Sequence, residues 1–190
     1  KTVYENKGDY TLDDEGKMLL EETYKGFVRS GAGLDDAQKE QYRAYSEELS
    51  QLTLKFGQNV LAATNAFTVN IPPTEEQRVA ELPGFVRESM AAEAAAREQE
   101  GWTVTLQAAS MIPFMTYSSD RELKEQIWTK YNSRCAEGDE LDNRENIRRI
   151  TELRMRIANL LGHPTYADYV LQERMANDVP TVDKFLGELL

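Results

Sequence analysis

One long seam of apolar side chains, in residues 36–64, constrains the fold more than any other feature of the sequence. Its members recur at intervals of three and four, the spacing of one helical face: Tyr42, Tyr45, Leu49, Leu52, Phe56 and Val60. Asp35 and Gln38 have the pattern of a capping box at its start. A helix of this length would span roughly 40 Å at about 1.5 Å per residue, which favours elongated helical layers over a compact bundle.

Capped helical segments account for most of the remaining chain. The predicted capping residues at their starts are Thr11, Asp120, Asp142 and Thr165. An alanine-rich helix is predicted to end at Gly101. Apolar spacing predicts inward-facing side chains in the two helices after residue 120: Leu123, Ile127, Trp128 and Tyr131 in the first, and Ile147, Ile150, Leu153, Ile157, Leu160 and Leu161 in the second.

Two short segments alternate with a period of two. Phe67 to Ile71 and Trp102 to Gln107 are rich in β-branched residues, and Pro72 with Pro73 would end the first of them. Because the segment between them reads as helix, the two could pair as a small sheet beside the helices. The predicted fold class is therefore mainly α, with elongated helical layers and one small β-strand pair.

Residues 101–117 contain no charged side chain, which is unusual for a connector. Bulky side chains follow the second strand segment, and three of them are candidates for a binding surface: Met111, Phe114 and Tyr117. Two interpretations remain open. The segment is either a buried crossover or the lining of a groove, since Met and aromatic side chains suit adaptable peptide-binding surfaces.

Charge and composition exclude several classes of function. The net charge of -11 argues against a nucleic-acid surface and against an anionic membrane, because both need clustered Lys and Arg. No apolar run approaches the roughly 18 residues of a membrane span, and the first residues lack the apolar core of a signal peptide. With Cys135 alone, an intramolecular disulfide is impossible. We expect a soluble protein, in the cytoplasm.

No metal or catalytic constellation is predicted within this chain. His163 is the single His and sits in a helix C-terminus and exit loop, while zinc sites need several His or Cys ligands. The acidic run of Glu137, Asp139, Glu140 and Asp142 lacks the ligand spacing of a calcium loop and reads as a capped turn. We therefore expect no cofactor in this chain.

Both ends suggest that the sequence is part of a larger protein. No initiator Met precedes Lys1, and the last segment carries an apolar stripe of Phe185, Leu186, Leu189 and Leu190. Such a stripe needs a partner surface. We expect further sequence to supply it, as a missing carboxy-terminal half.

Residues 20–34, 49–67, 101–134 and 142–175 together resemble the amino-terminal half of the thimet oligopeptidase, oligopeptidase A and peptidyl-dipeptidase Dcp family of zinc metallopeptidases. The similarity covers nearly the whole chain and is nearest to the peptidyl-dipeptidase branch. Its most specific parts are the segment from Trp102 to Tyr117 and the pattern of Arg121, Tyr131, Asn132 and Arg134.

The resemblance implies a fragment, residues 1–190, of a two-lobed helical enzyme that cleaves short peptides in a deep channel. It implies that residues 101–117 form a strand and turn, part of which faces the channel. In that family two His of an HExxH helix and a later Glu hold the zinc, and no HExxH occurs here. This chain is thus expected to form a non-catalytic wall. The alternative, which helix pattern alone permits, is a free-standing helical binding or scaffold module.

Overall fold

The computed structural model describes residues 1–190, and most of the chain is helical. Its α-helices are α1 (Thr2–Glu5), α2 (Asp14–Arg29), α3 (Asp36–Ala66), α4 (Gly84–Ala96), α5 (Ala108–Tyr117), α6 (Arg121–Asn132), α7 (Arg144–Leu160), α8 (Tyr166–Leu171) and α9 (Val179–Leu189). Two strands, β1 (Thr68–Ile71) and β2 (Trp102–Thr105), complete it together with short 3-10 turns. The predicted mainly helical class with one small strand pair is confirmed.

Side-chain caps place most helix starts where the sequence predicts them. Asp35 and Gln38 bond each other's backbone N–H groups reciprocally before α3. Thr165 and Asp168 form the same arrangement before α8. The prediction for α2 is wrong by two residues, because Asp13, and not Thr11, accepts the N–H of Gly16. The alanine-rich helix α4 also ends earlier than predicted, at Ala96.

β1 and β2 pair antiparallel, with Val69 opposite Val104 and Ile71 opposite Trp102. This confirms the predicted pair of strands. β2 is the more deeply buried of the two strands, since its last three residues are almost inaccessible to solvent. Side chains from the strands, from α4, α5 and α6 and from the segments that connect them form one apolar core, made of Ile71, Val79, Leu82, Val86, Met90, Val104, Leu106, Phe114, Leu123 and Ile127.

The second half of the uncharged segment differs from the expected strand and turn. Residues 108–117 form helix α5, which starts after Gln107 with its backbone carbonyl accepting the N–H of Met111. Pro113 lies inside this helix and cannot donate to the carbonyl of Ala109. The helix persists because its buried face packs into the core, which outweighs the local cost of the proline.

Three of the predicted inward-facing side chains are exposed instead. Trp128 is 59% exposed on α6, Tyr131 lies on the same helix with the Arg134 guanidinium stacked on its ring at 3.8 Å, and Ile147 is exposed on α7. Helix α6 buries only Leu123 and Ile127, a narrow stripe with a spacing of four. Periodicity identified the helix but overestimated the width of its buried face.

The chain divides into two compact units. Residues 53–148 form the unit that contains the apolar core described above. Residues 1–52 and 149–190 form the other, in which Arg149 makes a two-pronged ion pair with Glu48 at 2.6 and 2.7 Å. None of the helices has an apolar stretch long enough to cross a membrane.

Candidate functional site

Helix α5 presents one aromatic side chain, Phe114, to the core. Phe114 has no exposed surface, and Met111 and Met115 are partly buried against the same cluster. The three sequence-predicted lining residues are therefore not equivalent. Phe114 is a core residue of the unit formed by residues 53–148, and Met111 is partly buried against that core. Tyr117, in contrast, remains 49% exposed.

The opposite face of α5 is exposed and carries no charge. Ile112 is 56% exposed, and Ala109 and Thr116 lie on the same side one helical turn away in each direction. The Thr116 hydroxyl donates to the carbonyl of Ile112 at 2.8 Å, so it is turned toward the backbone. Solvent-facing helix surfaces normally carry charged residues. The outer face of α5 departs from this pattern, since none of these three residues is charged.

Tyr117, one helical turn after Phe114, connects α5 to helix α4. Its ring meets the ring of Phe85 edge to face, with centroids 5.9 Å apart and planes at 89°. Both rings are about half exposed or more, so the pair is not part of the core. Aromatic pairs in this geometry are attractive beyond their buried area.

A polar clamp holds the corner between α5 and α6. Asp120 accepts the N–H of Leu123 as the N-cap of α6, and its other carboxylate oxygen accepts from Arg78 Nε at 2.6 Å. The Arg78 guanidinium holds the pKa of Asp120 below its ordinary value, since that bond favours the charged carboxylate. Glu81 accepts the N–H of Ser119 in the same corner. These bonds fix the direction in which α6 leaves α5.

Beyond this corner, α5 and α6 enclose a shallow groove of about 330 Å³. Its lining consists of Met115, Arg121, Lys124, Glu125 and Trp128. The four residues from α6 occur at spacings of three and four, so they share one face of that helix. The groove therefore combines an exposed indole, a thioether and three charged groups.

The chain's potential metal ligands are engaged elsewhere. The ring of His163 packs edge-on against Tyr169 with centroids 5.3 Å apart, and its Nδ1 lies 3.5 Å from the side-chain amide of Gln172. Burial raises the pKa of the Cys135 thiol, which suits a packing role. The donors present do not fit a zinc site of the common kinds, because one His and one Cys are fewer than the several His or Cys ligands that such a site uses.

The acidic run of residues 137–142 is a hydrogen-bonded turn. Asp142 accepts the N–H of Gly138 at 2.8 Å and pairs with the guanidinium of Arg144, which lowers the pKa of its carboxyl. Asp139 accepts the N–H of Leu141. No three His, Cys, Asp or Glu residues cluster closely enough to hold a metal ion.

Comparison with known proteins shows which family the chain is related to. The sequence profile described as peptidase family M3 matches residues 114–190, from the middle of α5 onward. This chain is related to the M3 peptidases. The resemblance inferred from the sequence is thereby confirmed.

Individual M3 relatives align along nearly the whole chain. A probable cytosolic oligopeptidase A from Arabidopsis thaliana is 33% identical over 196 residues, which covers 100% of this chain and 27% of the relative. Oligopeptidase A from Salmonella typhimurium is 32% identical, covering 96% of this chain and 27% of the relative. Dipeptidyl carboxypeptidase from Escherichia coli is 28% identical, covering 99% and 28%.

Two facts follow from these alignments. The chain spans about a quarter of the length of the curated relatives it matches. In addition, these oligopeptidases A are more similar to it than this dipeptidyl carboxypeptidase, so the identities do not favour the peptidyl-dipeptidase branch.

Sequence reasoning missed the residues that α5 and α6 actually expose. Ile112 and the face of Arg121, Lys124, Glu125 and Trp128 were not proposed as a site. The signal was present for α6, because charged residues at helical spacing leading to a Trp mark an exposed helix face. The exposure of Ile112 could have been predicted only by recognising that residues 108–117 are helical despite Pro113.

Proposed function

We propose that this chain is part of a zinc-dependent oligopeptidase or peptidyl-dipeptidase that hydrolyses short peptides, and that it forms one wall of the substrate channel. The relation to M3 peptidases supports the class of reaction. The exposed, uncharged face of α5 with the Phe85 and Tyr117 rings is the observation that carries the role as a wall. A surface without charged side chains tolerates varied peptide sequences, because it holds no fixed charge that would favour one peptide side chain over another.

On this proposal the zinc, its activated water and the general base come from sequence outside residues 1–190. Within this chain there is one His and no HExxH, and the donor groups do not converge. A bound zinc supplies Lewis acidity and a hydroxide-like water in such enzymes. The residues described here would position the peptide and exclude bulk water, and none of them would transfer a proton.

The first test is to read the coding sequence that follows the codon for Leu190 in the same frame. An HExxH motif downstream in the same frame supports the peptidase, and the protein it encodes should retain stoichiometric zinc after dialysis. The 190-residue chain alone should retain none. A stop codon soon after the codon for Leu190 would instead support a free-standing helical binding or scaffold module and would overturn the proposal.

The second test is kinetic and uses that longer protein. Tyr117→Ala should change the ratio of kcat/KM for short and long peptides, with zinc content unchanged, because it removes half of an exposed aromatic pair. Phe114→Ala should instead lower stability by about 3 to 5 kcal/mol, because it empties a fully buried position.

Phe27→Ala serves as the matched control, since Phe27 is an aromatic residue of similar exposure on α2. Its effect on the kcat/KM ratio should be small. If Tyr117→Ala leaves the ratio unchanged but destabilises the protein, the α5 surface is structural and not part of a channel.

A further inference from the structure

Helix α6 presents one face that its structural role does not explain. Leu123 and Ile127 point into the core, whereas Arg121, Lys124, Glu125 and Trp128 line the groove against α5. Trp128 has the largest side chain on this face, and 59% of its surface is exposed. An exposed Trp at a position where helical spacing suggests burial is typical of binding surfaces, since its indole supplies large contact area.

The charges around this indole are unbalanced in a way that is unusual for this chain. The protein has a net charge of -11, and most of its arginines form salt bridges, among them Arg78, Arg87, Arg144 and Arg149. Arg121 forms none and is exposed. Lys124 forms no salt bridge either, and its ammonium donates to the carbonyl of Ser118 at 3.1 Å.

The nearby carboxylates do not neutralise Arg121. Asp120 is bonded to Arg78 and to the N–H of Leu123, and Glu122 pairs with Arg78 at 3.4 Å. Glu81 is bonded to the N–H of Ser119 and is the carboxylate whose pKa the Lys124 charge helps to lower. Glu125 lies in the groove and is the only acidic group lining it. The groove is thus lined by two cationic side chains and one carboxylate beside an apolar floor of Met115 and Trp128, and Arg121 has no salt-bridge partner.

We propose that the α5–α6 groove binds a peptide segment in which an acidic side chain neighbours an apolar one. The acidic carboxylate pairs with Arg121 and the apolar side chain lies on Trp128 and Met115. Arg presents a planar fork of N–H donors that suits a carboxylate. The groove is open along the surface, so a side chain of a passing peptide reaches it without requiring a chain end. This rests on the proposed function in that such a peptide would be a substrate.

The direct test uses the 190-residue chain and needs no catalysis. The probes are the blocked peptides acetyl-Ala-Leu-Glu-Ala-amide and acetyl-Ala-Leu-Gln-Ala-amide, titrated while the indole N–H signals of the two tryptophans are followed by NMR. Trp102, which is half-buried against the core, serves as the internal reference, and Trp128→Phe assigns the signals. The Glu peptide should shift the Trp128 signal and leave Trp102 in place.

Charge variants then identify the partner of the carboxylate. Arg121→Gln should weaken binding of the Glu peptide by about two- to fivefold, the range of an exposed ion pair, and Glu125→Gln should strengthen it by a similar factor. Arg174→Gln is the matched control, because Arg174 is also exposed and without a salt bridge but lies in the other compact unit. It should change binding of the peptide little.

Several outcomes would overturn the inference. They are equal binding of the Glu and Gln peptides, an unmoved Trp128 signal, an equal effect of Arg174→Gln, and a requirement for a free terminal carboxylate on the peptide. The proposed function can fail separately. If the longer protein holds no zinc while the Trp128 titration behaves as expected, the groove binds acidic peptides in a protein that does not cleave them.

Discussion

Gly101 occupies a position that no other residue type can take without moving the backbone. Its φ is +89°, and a Cβ added there would lie 2.1 Å from the carbonyl oxygen of Ile71, its neighbour across the start of the strand pair. The left-handed conformation and the close approach act together. The close approach of the backbone at the start of β2 therefore depends on this glycine.

Gly101→Ala should destabilise the unit formed by residues 53–148 by more than about 2 kcal/mol, because a steric overlap adds to the cost of a positive φ. Gly138→Ala is the control in the same unit, since its φ is +79° and its nearest added contact is an arginine side-chain nitrogen at 3.7 Å. It should cost only about 1 to 2 kcal/mol. Denaturant unfolding followed by Trp fluorescence measures both, and equal losses would contradict the steric argument.

At the scale of elements, one carboxylate determines how α6 begins. Asp120 caps the helix and also holds Arg78, which binds Glu75 and Glu122 as well. Removing the side chain therefore affects a helix terminus and an ion cluster together. The two contributions can be separated, because Asn retains the capping oxygen without the charge.

Asp120→Ala should lower the free energy of unfolding by about 1 to 3 kcal/mol at neutral pH, and Asp120→Asn by less. The folded pKa of Asp120 is depressed by Arg78, so its charge contributes stability that is fully present above the unfolded pKa. That contribution is lost as the pH falls below about 4 and through the folded pKa. The difference between wild type and Asp120→Asn should therefore shrink as the pH falls below about 4, and a constant difference would contradict this account.

On the scale of the whole molecule, the two compact units bury apolar surface unequally. The unit of residues 53–148 has a continuous core, whereas α2, α8 and α9 contain no buried residue. The apolar stripe of α9 remains exposed, from 51% at Leu186 to essentially complete exposure at Leu190. Exposed stripes of this kind promote association when no partner covers them.

We expect the 190-residue chain to self-associate as its concentration rises, since burying each Leu or Phe contributes about 1.5 to 3 kcal/mol. The double substitution Leu186→Glu with Leu189→Glu should reduce association. Lys184→Glu is the control on the polar face of α9, because it changes the net charge by the same amount. Sedimentation equilibrium distinguishes them, and a monomeric wild-type chain at high concentration would refute the prediction.

The sequence by itself determined the features that depend on neighbours along the chain. Capping residues such as Asp35 and Asp120 marked helix starts, because the groups they satisfy lie within three residues. Alternation of β-branched residues identified both strands. The lack of HExxH and the single His established that residues 1–190 alone lack that zinc motif, and the resemblance to the peptidase family was readable from four segments.

Tertiary structure decided which side of each element is covered, because burial depends on residues distant in sequence. Packing against the core made residues 108–117 helical in spite of Pro113 and buried Phe114 while exposing Ile112. It also exposed Trp128, because α6 meets the core along only a narrow stripe. Helical periodicity specifies which residues share a face, but only the neighbouring elements determine whether that face meets a core or remains open to a ligand.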